Sequence, residues 1–173
     1  MKTLGLLRHA KSDWSDSELR DFDRDLNERG CKGARVMGRH IRQHGQDWNT
    51  IIASPAMRVK TTLGQALPDA DISWDRRLYL ASSETLGDIL REASGQAVLL
   101  VGHNPGLGDL ILDLVAPDAE NALFDEATVK FPTAAFAVLE LDVDDWNDVA
   151  GHCGKLVHFK RPRDLDPDLG PEF

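Results

Sequence analysis

The chain has 173 residues, of which 42% are hydrophobic and 28% charged, enough for one domain whose core needs no staples. Its 20 Lys and Arg against 29 Asp and Glu give a formal charge of −9, which argues against nonspecific binding to nucleic acid or anionic lipid. Two cysteines, Cys31 and Cys153, make no disulfide framework and read as reduced thiols of a cytoplasmic protein. The longest strongly apolar run, Ala97–Val101, is too short to span a membrane, and Met1–Leu4 leads into no h-region with a small-residue cleavage site, so no signal peptide is expected.

Strand and helix signals alternate along the chain. Thr3–Leu7 is apolar and broken at once by polar residues, as a buried strand would be. Asn27 is placed to cap a helix to about Gln43, with Ala34, Met37 and Ile41 on one face and Gly45 as terminator. Thr50–Ala53 reads as a second buried strand, and Ser54-Pro55 as the cap and first-turn proline of a helix over about 55–67. Ile72–Trp74 follows as a short strand. Ser83 is then placed to cap a helix carrying Leu86, Ile89, Leu90 and Ala93. Ala97–Val101 is the clearest strand, and Asn104-Pro105 repeats the cap-plus-proline pattern before a helix with Leu107, Leu110, Ile111 and Leu114 inward. Ala134–Leu141 and Lys155–Phe159 close the pattern as strands. The order predicts an α/β fold, a three-layer sandwich around a mostly parallel central sheet, as a single domain over residues 1–163. Residues 164–173, rich in proline and acid and without a period, predict a flexible acidic tail.

Three segments share one grammar of buried strand followed by abrupt polar residues: Leu6–His9, Ile52–Arg58 and Leu100–Pro105. In a parallel sheet the strand carboxyl ends share one edge, where ligands bind. Arg8, His9, Arg58 and His103 should therefore converge. Two guanidiniums, two imidazoles and nearby helix N-termini suit a dianion such as a phosphoryl group. No Gly-Lys-Ser/Thr follows a glycine run, and Gly106-Leu107-Gly108 has Ile111 where a dinucleotide fingerprint needs glycine. Each segment alone reads more readily as structure; their joint order is harder to dismiss.

Leu7-Arg8-His9-Ala10-Lys11-Ser12, Ser54–Thr61 and Val101–Gly106 resemble the signatures of the histidine phosphatase superfamily, with its phosphoglycerate mutase-like fold. The closest likeness is to the small SixA-like phosphohistidine phosphatases. It spans roughly Lys2 to Asp164 and includes Asp23–Gly30, Phe131-Pro132-Thr133 and Arg161-Pro162-Arg163. The resemblance implies that His9 is the nucleophile that becomes phosphorylated, and that Arg8, Arg58 and His103 hold the phosphoryl oxygens. Ala10 departs from the superfamily's Arg-His-Gly, and Asp25 replaces a proline common in relatives. The implied enzyme is a metal-independent phosphatase with no cofactor. Its substrate would be a histidine-phosphorylated protein such as a phosphotransfer domain, with no nucleic acid or membrane partner. A phosphatase of small phosphomonoesters and a noncatalytic phosphate-binding module are the competing readings.

The chemistry agrees. An imidazole with an unperturbed pKa of about 6.5 is mostly neutral, and so nucleophilic, at neutral pH. Glu84 is the one candidate general acid, although a first-turn glutamate also suits the helix dipole. An imidazole leaving group needs no dedicated acid where an alkoxide would, which favours phosphohistidine as substrate. The short stretch from Leu67 to His103 leaves little room for a capping insertion, so the groove should be open. His40 and His44, four apart, lack a third ligand nearby in sequence and read as a solvated face. Asp142–Asp148 reads as an acidic turn rather than a calcium loop. Lys160-Arg161-Pro162-Arg163 reads as a basic surface cluster that could also grip an acidic partner.

Overall fold

A computed structural model describes residues 1–170. Six strands, β1 (Lys2–Arg8), β2 (Thr50–Ala53), β3 (Ser73–Trp74), β4 (Ala97–Gly102), β5 (Phe136–Leu141) and β6 (Gly154–Lys160), form one sheet in the order β3-β2-β4-β1-β5-β6. The first four in that order pair in parallel, while β5 runs antiparallel to both β1 and β6. The middles of the central strands are apolar because both faces are covered, as in parallel sheets generally. Alternation along each strand divides the core. Leu4, Leu6, Val98, Leu100, Ala137 and Leu139 face α3 (Ser83–Arg91), α4 (Gly106–Leu114) and α5 (Ala122–Val129). Leu7, Leu99, Val101, Phe136 and Val138 face α1 (Glu28–His44) and α2 (Met57–Ala66). Each fully buried leucine stabilises the sandwich by roughly 1.5–3 kcal/mol relative to exposure.

The expected helix ends are largely where residue chemistry places them. Asn27 caps α1 by accepting from Gly30 N at 2.7 Å, and Gly45 ends it in the left-handed conformation with φ 84°. Gly30 serves the site as well. A Cβ there would lie 2.1 Å from the Lys11 carbonyl oxygen, so only glycine lets α1 close onto the segment after β1.

Three expected helix caps need correction, that of α4 being Pro105 with no side-chain cap bond rather than Asn104, and two segments carry structure that the sequence pattern does not mark. Ser54 does not cap α2, which begins at Met57 after Ala56; the Ser54 hydroxyl is drawn instead to His103. The cap of α3 is Ser82, one residue earlier than expected, accepting from Thr85 N at 3.2 Å. Helix α5 was not foreseen, because it is short and buries only Phe124 and Ala127. The segment expected to be a flexible tail is docked as far as Gly170. It forms α6 (Pro162–Leu165) and a single turn at Pro167–Leu169, and Leu165 packs on the α1 side of the core. Lys32 on α1 pairs with Asp166 at 3.4 Å, and Arg29 donates to the Asp168 carbonyl at 3.0 Å and to that of Gly170. Residues 171–173 lie outside the described part of the chain.

The acidic turn is as expected. Asp145 caps a single turn at Trp146–Asp148, and buried Trp146 donates to Gly95 O at 2.6 Å. Among the described residues no helix is long and apolar enough to cross a membrane, and Cys31 and Cys153 are both free thiols.

Candidate active site

Arg8 ends β1 and His9 follows it, His103 follows β4, and Arg58 lies in the first turn of α2 beyond β2. The parallel pairing of β1 with β4, continued by His9 N donating to Gly102 O at 3.0 Å, sets the two imidazoles side by side. Their ring centroids are 5.3 Å apart. Arg58 Nη2 lies 3.3 Å from His103 Nδ1, and Arg8 Nη1 donates to Phe131 O at 3.0 Å. The four residues expected to converge are thus at one sheet edge. The Nε of Arg8 is buried without a hydrogen-bond partner, a donor that an anion could satisfy.

Hydrogen bonds decide which ring nitrogens are basic. His9 Nδ1 is 2.7 Å from the Ala10 carbonyl oxygen, which can only accept, so Nδ1 carries the proton and Nε2 keeps its lone pair. The Ala10 peptide is itself held, its N–H donating to Thr62 Oγ1 at 2.9 Å. On His103 the Arg58 guanidinium can only donate, so Nδ1 accepts and Nε2–H donates to Ser54 Oγ at 2.7 Å. Burial, then the charges of Arg8 and Arg58, lower the His9 pKa to about 4 against the opposing Ala10 carbonyl and Asp21. Burial, then His9 and Arg58, lower that of His103 to about 3. Both rings are neutral at pH 7. Burial, with the neighbouring charge of Arg58, also lowers the pKa of Arg8.

Two members of the cluster were not foreseen. Asp21, in a single-turn helix at Asp21–Asp23, takes Arg58 Nη1 on its carbonyl at 2.7 Å and Nη2 on Oδ2 at 3.0 Å. The Tyr79 hydroxyl donates to the same carboxylate oxygen, and Arg24 to the other. Burial would raise the Asp21 pKa, but the bonds from Tyr79 and Arg58 outweigh it and hold the carboxyl at about 2. Asp21 therefore orients Arg58 as an anion and offers no proton at neutral pH. The Tyr79 ring lies 5.4 Å from that of His103. Asp21 sits in a single helical turn and Tyr79 just after another, 37 and 21 positions from Arg58, and no local pattern marks them.

Glu84 lies exposed in the first turn of α3, and no hydrogen bond or ion pair among the described residues ties it to the cluster. His40 and His44 do acquire a third imidazole, His158 of β6, whose Nε2 is 2.8 Å from that of His40. Among the described residues, however, no group of three ligands is arranged to hold a metal.

Ser54, fully buried, is the partner of the His103 Nε2 proton. Ser54→Ala should strand that N–H and cost about 1–3 kcal/mol, a fall in Tm of about 3–10 °C. Calorimetry checks this; an unchanged Tm would mean that the contact contributes nothing.

These features define a class of protein. A family model of the histidine phosphatase superfamily (branch 1) matches residues 4–81. An uncharacterized protein of Mycobacterium tuberculosis is 32% identical over 160 residues, 91% of this chain and 100% of that one. A provisionally named phosphohistidine phosphatase SixA of Agrobacterium tumefaciens is 31% identical with a TM-score of 0.76, covering 93% of this chain and 98% of its own. Its counterpart from Nakamurella multipartitia has a TM-score of 0.81 at 27% identity, covering 93% and 96%. The chain belongs to the histidine phosphatase superfamily and is SixA-like, and these likenesses mark it as a phosphatase.

Proposed function

We propose that the protein hydrolyses phosphohistidine on another protein, by transient transfer of the phosphoryl group to His9. The observation that carries this reading is the pairing of a proton-free His9 Nε2 with Arg8, Arg58 and His103 at one buried edge. In the first step Nε2 attacks phosphorus in line with the leaving nitrogen. The Nε2–P bond forms, the substrate P–N bond breaks, and its electron pair stays on the leaving imidazole. With a proton on its distal nitrogen, that imidazole departs neutral. Arg8 and Arg58 hold equatorial oxygens. When a phosphoryl oxygen takes the Arg58 donor, the His103 proton can move to Nδ1 and donate to the same group. The Ser54 hydroxyl, donor or acceptor by rotation, then donates to Nε2. Water attacks the phosphoryl group on His9, releasing inorganic phosphate and the neutral ring. The scheme calls for no metal ion.

Two features favour a protein phosphohistidine over a small phosphomonoester. An alkoxide leaving group needs a proton donor, and the carboxylate placed at this cluster, Asp21, is held ionised. Exposed apolar side chains also neighbour the residues of the cluster. Trp14, 72% exposed, covers the Arg24 guanidinium at 3.6 Å, while Leu19, Met57 and Leu80 are exposed beside Asp21, Arg58 and Tyr79. Exposed apolar groups next to the residues of a polar site suit a protein face. The test compares kcat/KM for a phosphohistidine protein with that for a panel of alkyl and aryl phosphomonoesters. The phosphohistidine protein should lead by at least about 100-fold, the low end of what a general acid contributes to the departure of an alkoxide. Faster turnover of an alkyl phosphate would overturn the reading.

The pH dependence has a definite sign. His9 attacks only when neutral, so the acid limb of kcat/KM should fall near pH 4 rather than 6.5. Stability moves the same way. His9, His103 and His158 are neutral in the fold with lowered pKa values, so the unfolded chain binds more protons below about pH 6.5. The fold therefore loses stability as pH falls from about 6.5 to 4. Initial rates paired with denaturant midpoints at each pH separate the two effects. An acid limb at 6.5 with the fold intact would contradict the assignment.

A further inference from the structure

Beside the cluster, across the segment after β1, lies a cavity of about 160 Å³ that the mechanism does not use. Five of its lining side chains are basic, Lys11, Arg29, Lys130, Arg161 and Arg163, and among the described residues no acidic side chain lines it. In a chain of net charge −9 this concentration of cations is a local departure from the overall balance. The cavity shares its wall with the site. Ala10, whose carbonyl sets the His9 tautomer, lines it, as do Pro132, Thr133 and Ala134. Ala134 N donates to His9 O at 2.9 Å, and the adjacent Phe131 carbonyl holds Arg8. The docked C-terminal segment builds the far side. Arg29 is anchored on its Asp168 and Gly170 carbonyls, and Arg161 on Asp164 at 2.9 Å. The Lys130 and Arg163 side chains add charge that no carboxylate within the described residues pairs.

We propose that this cavity is a second anchor, receiving carboxylate side chains that flank the phosphohistidine of the protein substrate. The inference rests on the proposed function and narrows it to substrates whose phosphohistidine lies in an acidic surface. The phosphoryl group meets Arg8 and Arg58, and the neighbouring carboxylates reach Lys130 and Arg163 along the same sheet edge. Cations placed this way act mainly on partner choice and encounter, and salt weakens them.

Two phosphohistidine peptides of equal length test it, one with Asp and Glu around the phosphohistidine and one with Asn and Gln, alongside free phosphoramidate. Wild type should favour the acidic peptide by about tenfold in kcat/KM, through KM, with the preference shrinking as salt rises. Lys130→Glu with Arg163→Glu should abolish or reverse the preference and leave phosphoramidate turnover unchanged. Lys130→Gln with Arg163→Gln repeats the test without introduced repulsion. Equal use of both peptides by wild type, or a preference that survives both double variants, overturns the second anchor. Failure to cleave either peptide or phosphoramidate, the acidic peptide included, would instead sink the phosphohistidine reading itself, so the two failures are distinct.

Discussion

His9→Ala should lower turnover of a phosphohistidine protein by a factor on the order of 10⁴ or more, the scale seen when a nucleophile acting as part of a unit is removed. The argument lies in the ring's surroundings rather than in its position alone. Its Nδ1 proton is committed to Ala10, its pKa is lowered to about 4, and its Nε2 remains basic among two guanidiniums. Nothing else in the cluster can replace it. His103 has both ring nitrogens engaged, by Arg58 and Ser54, and Asp21 is bound by Arg58, Arg24 and Tyr79. Steady-state rates with matched circular dichroism check the point. Substantial residual turnover in a folded variant would assign the nucleophile elsewhere.

Arg58→Ala ranks second. Its guanidinium is buried, donates twice to Asp21 and approaches His103 Nδ1, so its loss removes a phosphoryl donor and frees the orientation of His103. The expected cost is on the order of 2–5 kcal/mol of transition-state stabilisation, a fall in kcat/KM of roughly 30- to 5000-fold. Arg58→Lys should recover little, since a single ammonium cannot reproduce the fork shared between Asp21 and the phosphoryl group. A variant that unfolds but whose folded fraction turns over normally would make Arg58 a structural residue.

Much of this site could be read from residues because it is built where strands end. Arg8-His9, Ser54–Arg58 and Gly102–Pro105 each follow a buried apolar run, and a parallel sheet brings such ends together whatever their spacing in the chain. Helix α1 was equally legible, because Asn27 and Gly45 are local signals that act through their own backbone. Asp21 and Tyr79 were not. Their place depends on loops folding back onto Arg58, 37 and 21 positions away, and no period or cap records such contacts. Ser54 misled for the same reason. A serine before a helix ordinarily caps it, but here the long-range bond to His103 wins. The C-terminal segment reads as disordered from composition, yet Leu165 and the pairing of Lys32 with Asp166 tie it to α1.

The central claim is that the phosphoryl group passes through His9. It is met most directly by mixing the protein with a phosphohistidine protein labelled on phosphorus, quenching in alkali within milliseconds, and mapping the label by mass spectrometry. The account predicts a transient phosphoryl group on the His9 Nε2, formed faster than steady-state turnover and absent from His9→Ala. Label on His103, on Ser12 or Cys31, or on no residue while phosphate is released at the normal rate, would contradict it.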